Sequence, residues 1–110
     1  MSTLSTHVLD TAHGQPAAGV ALTLATADGR VLFAGTTDAD GRCPGLPPLL
    51  PGRYRLSFGV ADYFRGQGVV LPDPPFLDCV TIDFGVADAQ GHYHVPLLVS
   101  PYSHATYRGS

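Results

Sequence analysis

The sequence predicts an all-β chain, a sandwich or barrel of short strands with one short helix. Three observations carry that prediction. First, all six basic residues are Arg and all nine acidic residues are Asp. The chain therefore lacks Lys and Glu, which form helices well, and uses Asp, which does not. Its 13 Gly and 10 Pro argue further against a helical bundle. Second, turn-forming clusters recur at short intervals. "AHGQPAAG", "ADG", "DADG", "LPPLLPG", "LPDPP" and "DAQG" separate runs rich in Val, Leu, Thr, Tyr and Phe. Third, several of these runs alternate between two kinds of residue, as strand faces require.

In chain order the first predicted strand is Ser5–Leu9. There Ser5, His7 and Leu9 share one face, and Thr6, Val8 and Asp10 take the other. Val20–Ala27 and Val31–Thr37 flank "TADGRV", a hairpin with Asp28-Gly29 as its turn residues. A short strand near Arg42–Pro44 sits between two turn clusters. Tyr54–Val60 follows Pro51-Gly52, and Val80–Val86 follows the Pro-rich stretch. His94–Val99 and Thr106–Arg108 complete a set of about eight strands. In "GHYHVPLLVS", His92, His94, Pro96 and Leu98 share a face, with Tyr93, Val95, Leu97 and Val99 opposite. If the Val and Leu faces line the interior, the histidines point outward. Residues 61–68 ("ADYFRGQG") lack alternation and read as a short helix, started near Asp62, ended by Gly, with Tyr63 or Phe64 inward.

With 110 residues and 45% hydrophobic content the chain is one domain, residues 1–110, with its own core. A net charge of −3 gives no electrostatic case for nucleic acid or an anionic membrane. No apolar run approaches the roughly 20 residues of a membrane span. "MSTLSTHVLD" has no signal-peptide pattern, so a cytoplasmic location is expected. Without a secretory context, Cys43 and Cys79 are expected to be unpaired and structural.

The polar residues that could carry chemistry are His7, Arg42, His92, His94, His104, Tyr107, Arg108 and Ser110. Histidine moves protons near neutral pH, and Arg holds a carbonyl or stabilises an oxyanion as a fixed charge. His92-x-His94 has metal-site spacing, because alternate strand residues face the same way. The simpler reading is two histidines on a polar face. A nucleophilic Ser has no Gly-x-Ser-x-Gly elbow, and Arg42 beside Cys43 points to the other face of a strand.

"STHVLD", "TDADGR" and "HYHVPLLVSPYSHATYRGS" resemble the transthyretin-related proteins, and more narrowly the 5-hydroxyisourate hydrolases among them. The resemblance spans nearly the whole chain, and the terminal Tyr-Arg-Gly-Ser separates the hydrolases from the hormone carrier. It implies a two-sheet β-sandwich and a homotetramer, a dimer of dimers with sites in the clefts between dimers. It implies hydrolytic ring opening of 5-hydroxyisourate in urate catabolism, with no metal or organic cofactor. His7, Arg42, His94, Tyr107, Arg108 and Ser110 match the family's catalytic positions, and His7, Arg42 and Tyr107 its substrate contacts. The alternative is a non-catalytic transthyretin-like module that binds a small ligand. Two departures stand out: His104 replaces a usual aromatic, and "GQGVVLPDPPFLDCV" differs from the usual approach to the sixth strand.

Overall fold

Alternation decides which residues turn inward, and the N-terminal segment shows it first. Leu4, Thr6, Val8 and Asp10 are buried, whereas Ser5, His7 and Leu9 lie half-buried on the opposite side. The structure is a computed structural model that describes residues 1–110. This first segment forms β1 (Thr3–Ser5) and β2 (Val8–Asp10), followed by β3 (Gln15–Pro16). Then come β4 (Ala21–Thr26), β5 (Val31–Thr36), β6 (Gly52–Gly59), α1 (Val60–Gly66) and β7 (Cys79–Val86). The chain closes with β8 (His92–His94), β9 (Leu97–Ser100) and β10 (Ser103–Thr106).

One sheet has the order β5-β4-β6-β7 and is antiparallel throughout. The other has the order β10-β9-β2-β3, with β2 and β9 parallel. The parallel pair β1-β8 continues that ladder. Ser5 lies opposite His94 and Val8 opposite Leu97 in one unbroken register. Val95 N–H donates to the Ser5 carbonyl and Leu97 N–H to the His7 carbonyl, each at 2.9 Å. The strand pairing is interrupted between Ser5 and Val8, where Thr6 Oγ1 donates to the Val95 carbonyl at 2.7 Å. Counting each interrupted strand once gives the predicted eight, with a different membership. Gln15–Pro16 pairs with β2, while Arg42 makes only an isolated bridge to His7.

Val8, Tyr93, Val95, Leu97 and Val99 of one layer meet Leu22, Leu24, Leu56, Phe58, Val80 and Ile82 of the other. Fully burying such a side chain stabilises by about 1.5–3 kcal/mol. The "TADGRV" hairpin forms as predicted, with Gly29 at φ 95° and its N–H donating to the Thr26 carbonyl at 2.9 Å. The helix begins earlier than its sequence signals indicate. It runs straight out of β6 with Gly59 at its N-cap, and Asp62 lies in the first turn. Gly68 follows its end at φ 84°. Tyr63 and Phe64 are both buried, and that packing holds a helix too short to persist alone.

Asp10 is the one buried carboxylate, at 1% exposure. It accepts the His13 backbone N–H at 3.0 Å, the His13 ring N–H at 2.6 Å and the Tyr63 hydroxyl at 2.8 Å. Burial alone pushes its carboxyl up, but the bonds from His13 and Tyr63 outweigh that and hold it below the usual range. A lowered folded pKa adds stability above the unfolded value of about 3.9, lost as pH falls through the folded one. Asp10→Ala leaves these donors unanswered and is expected to cost about 3 kcal/mol in urea unfolding at pH 7. A wild-type unfolding midpoint equal to the variant's at pH 7 contradicts this assignment.

Candidate active site

The parallel register lays two rows of residues side by side on the outer face. Thr3, Ser5 and His7 form one row, and His92, His94 and Pro96 the other. Thr3 Oγ1 lies 2.6 Å from His92 Nδ1. His92 Nε2 lies 3.1 Å from Ser5 Oγ, which lies 2.8 Å from His94 Nδ1. Hydroxyls thus occupy three of the four ring nitrogens of His92 and His94. Ser5 and Thr3 were not singled out by the sequence. Their one signal is that they alternate with His7, and it gains meaning only once β1 is known to pair with β8.

The "TDADGR" turn brings in Arg42. Asp38 Oδ1 accepts the N–H groups of Asp40 (2.9 Å) and Arg42 (3.1 Å), which closes the turn. Gly41 carries φ 76°, and Val8 N–H donates to its carbonyl at 2.8 Å. A Cβ on Gly41 would overlap the Val8 carbonyl oxygen, so only glycine allows this approach. His7 Nε2 donates to the Asp40 carbonyl at 2.8 Å. A carbonyl only accepts, so this nitrogen carries a proton. The Arg42 side chain is exposed and has no hydrogen-bond or ion-pair partner within the chain. His94 is held below the ordinary histidine pKa, first by burial and then by the positive charge of Arg42 and the neighbouring His92 and His7. It is therefore neutral at pH 7.

The C-terminal tail continues the β9–β10 hairpin register. Thr106 pairs with Leu97, and Gly109 rejoins opposite His94, its N–H donating to the His94 carbonyl at 2.8 Å. Between them Tyr107 falls opposite Pro96, so the strand ends at Thr106 rather than running through Arg108. A Cβ on Gly109 would overlap His94 Cδ2, so the tail backbone lies directly on the ring. Arg108 turns the other way. Its guanidinium stacks on Tyr93 at 4.1 Å, donates to the His92 carbonyl at 3.2 Å and stands 4.0 Å from Asp88. Tyr107 and Arg108 line a cleft of about 360 Å³ with Ile82, Phe84, Tyr93 and Val95. Within one chain, then, His7, Arg42 and His94 come together, the Gly109 backbone joins them, and Tyr107 and Arg108 do not. Ser110 ends the chain exposed, one residue beyond that contact.

Gly109→Ala is expected to push the tail off His94 and lower kcat/KM about tenfold, since small misplacements in a site are costly. The melting temperature should stay close to wild type, because the tail buries little. Unchanged kcat/KM would show that the contact is incidental.

Both cysteines are free; Cys43 is buried and Cys79 exposed. Burial, and next the charge of Asp38, push the Cys43 thiol up, away from a reactive thiolate.

A two-layer β-sandwich with one short helix and a paired-histidine, arginine-bearing outer face belongs to the transthyretin-like class. The chain matches the HIUase/Transthyretin family over residues 4–109 and belongs to that family. The 5-hydroxyisourate hydrolase of Pseudomonas aeruginosa is 51% identical over 119 residues, covering 100% of this chain and 93% of its own. The structure of Klebsiella pneumoniae 5-hydroxyisourate hydrolase is similar at TM-score 0.86 and 38% identity, with 100% of both chains covered. The crystal structure of (S)-allantoin synthase is similar at TM-score 0.90 and 38% identity. That match covers 99% of this chain, which spans 44% of the synthase chain.

Proposed function

We propose that this protein is a 5-hydroxyisourate hydrolase, a cyclic amide hydrolase of urate breakdown that forms 2-oxo-4-hydroxy-4-carboxy-5-ureidoimidazoline. The observation that carries the reading is the joining of His7, Arg42 and His94 on one face, with the tail backbone seated on His94. Ring opening needs a base for water, a stabiliser for the oxyanion and an acid for the leaving nitrogen. His94 is neutral and takes the proton from water. His7 has its Nε2 proton committed to Asp40 and orients the substrate. Arg42, free of partners, binds the urate-like oxygens and offsets the charge that develops on the attacked carbonyl. No step in this scheme calls on a metal or organic cofactor.

The remaining family positions enter through assembly. Tyr107, Arg108 and Ser110 belong to the site in a homotetramer, a dimer of dimers whose facing subunits enclose the exposed histidine face. There Tyr107 hydrogen-bonds a histidine or the substrate, Arg108 adds positive charge, and Ser110 fixes the tail. The whole chain, residues 1–110, acts as one such domain.

The test generates 5-hydroxyisourate in the cuvette with urate oxidase and follows its decay spectroscopically with and without this protein. Acceleration over spontaneous hydrolysis is expected, and its absence refutes the reading.

A further inference from the structure

We propose that Ser5 is a positioning residue that couples His94 to His92, keeps His94 protonated on Nδ1, and so leaves the Nε2 lone pair facing the substrate. This deepens the reading of His94 as the base and rests on it.

The polarity of the hydrogen-bond chain follows from its far end. The Gly91 carbonyl only accepts, and the Thr3 hydroxyl donates to it at 3.4 Å. Thr3 Oγ1 then accepts from His92 Nδ1–H at 2.6 Å. His92 Nε2 is left with a lone pair, which takes the Ser5 hydroxyl proton at 3.1 Å. Ser5 Oγ in turn accepts from His94 Nδ1–H at 2.8 Å. Every donor has an acceptor along this direction. His7 cannot play the same part, because its Nε2 proton is already given to the Asp40 carbonyl.

The chain also gives the proton somewhere to go. Water passes a proton to His94 Nε2 as its oxygen bonds to the ring carbonyl carbon. His94 releases the Nδ1 proton to Ser5 Oγ, and the hydroxyl proton of Ser5 moves to His92 Nε2. The positive charge then rests on exposed His92 rather than on His94, which faces Arg42 and His7. Reversing the relay returns a proton to His94 Nδ1, and His94 then delivers its Nε2 proton to the leaving nitrogen as the C–N bond breaks.

The experiment reads the imidazole 15N shifts of the full-length protein at neutral pH, with His92→Gln and His94→Gln to assign them, alongside steady-state kinetics on 5-hydroxyisourate. In wild type, His94 should be the Nδ1–H form. In Ser5→Ala it should drift toward the Nε2–H form that an unconstrained imidazole favours. The accompanying loss in kcat should be about tenfold, a fraction of what general base catalysis supplies, with KM held within about twofold. Ser5→Thr keeps the hydroxyl and should restore both readouts. His94 found as Nε2–H in wild type, or a tautomer unmoved by Ser5→Ala, overturns the proposal. So does full kcat in Ser5→Ala when wild type is active, which leaves the hydrolase reading standing. A wild-type protein that fails to hasten 5-hydroxyisourate decay overturns that reading instead, and the 15N shifts still decide the tautomer.

Discussion

His94→Ala is expected to lower kcat on 5-hydroxyisourate by about 10²–10⁴-fold, the usual contribution of a positioned general base. The fold should survive. His94 is half-buried on the outer face, and the core behind it is made by Tyr93 and Val95. Far-ultraviolet circular dichroism and the melting temperature should therefore stay near wild type. The pH profile adds a second check. Burial and the charges of Arg42, His92 and His7 lower the His94 pKa, so the base stays neutral below the ordinary histidine value of about 6.5. Activity should fall on acidification through that lowered pKa, and the limb should vanish in the residual activity of the variant. A wild-type acid limb at or above the ordinary histidine value would remove His94 from the role.

Arg42→Met is expected to cost about 10²–10³-fold in kcat/KM, the scale of losing one preorganised oxyanion donor. The Arg42 side chain is exposed and unpartnered, whereas its backbone closes the turn onto Asp38. Methionine therefore removes the charge without undoing the turn. Arg42→Lys should recover part of the loss, since a point charge replaces the field but not the planar fork of donors. A Met variant with near-normal turnover would mean that the free guanidinium is incidental.

The strands and their faces were largely legible in the sequence. A side chain on a strand obeys a period of two, so the inward turn of Tyr93, Val95, Leu97 and Val99 follows from "HYHVPLLVS" alone. The hairpin at Asp28-Gly29 was legible for a similar reason, because Gly29 meets a local backbone demand. The helix start was less so. Asp62 is a good capping residue, but the chain leaves β6 already turning, and continuity with the strand outweighed the cap. Residues 15–16 carried turn signals and still formed β3, because β2 supplies a partner for them.

The candidate site divides in the same way. His7, Arg42 and His94 could be named from motifs, yet nothing local says that they meet. Pro96 shows why. Its missing N–H is a property of the residue, but its effect depends on which strand that edge faces. Val95 and Leu97 turn their N–H groups to the Ser5 and His7 carbonyls, so the missing one would have faced the hairpin partner, opposite Tyr107, and that pairing lapses there. The tail then rejoins at Gly109, under the His94 ring, and Arg108 swings to Tyr93.

Residue types and their alternation, which act within a few bonds, determined the all-β class, the inward faces and the set of candidate residues. Which of those residues touch was decided by long-range register: Ser5 beside His94, Gly41 against Val8, Gly109 on the His94 ring. Pairing between distant strands follows from the burial of the whole sandwich, and no short stretch of sequence contains that information.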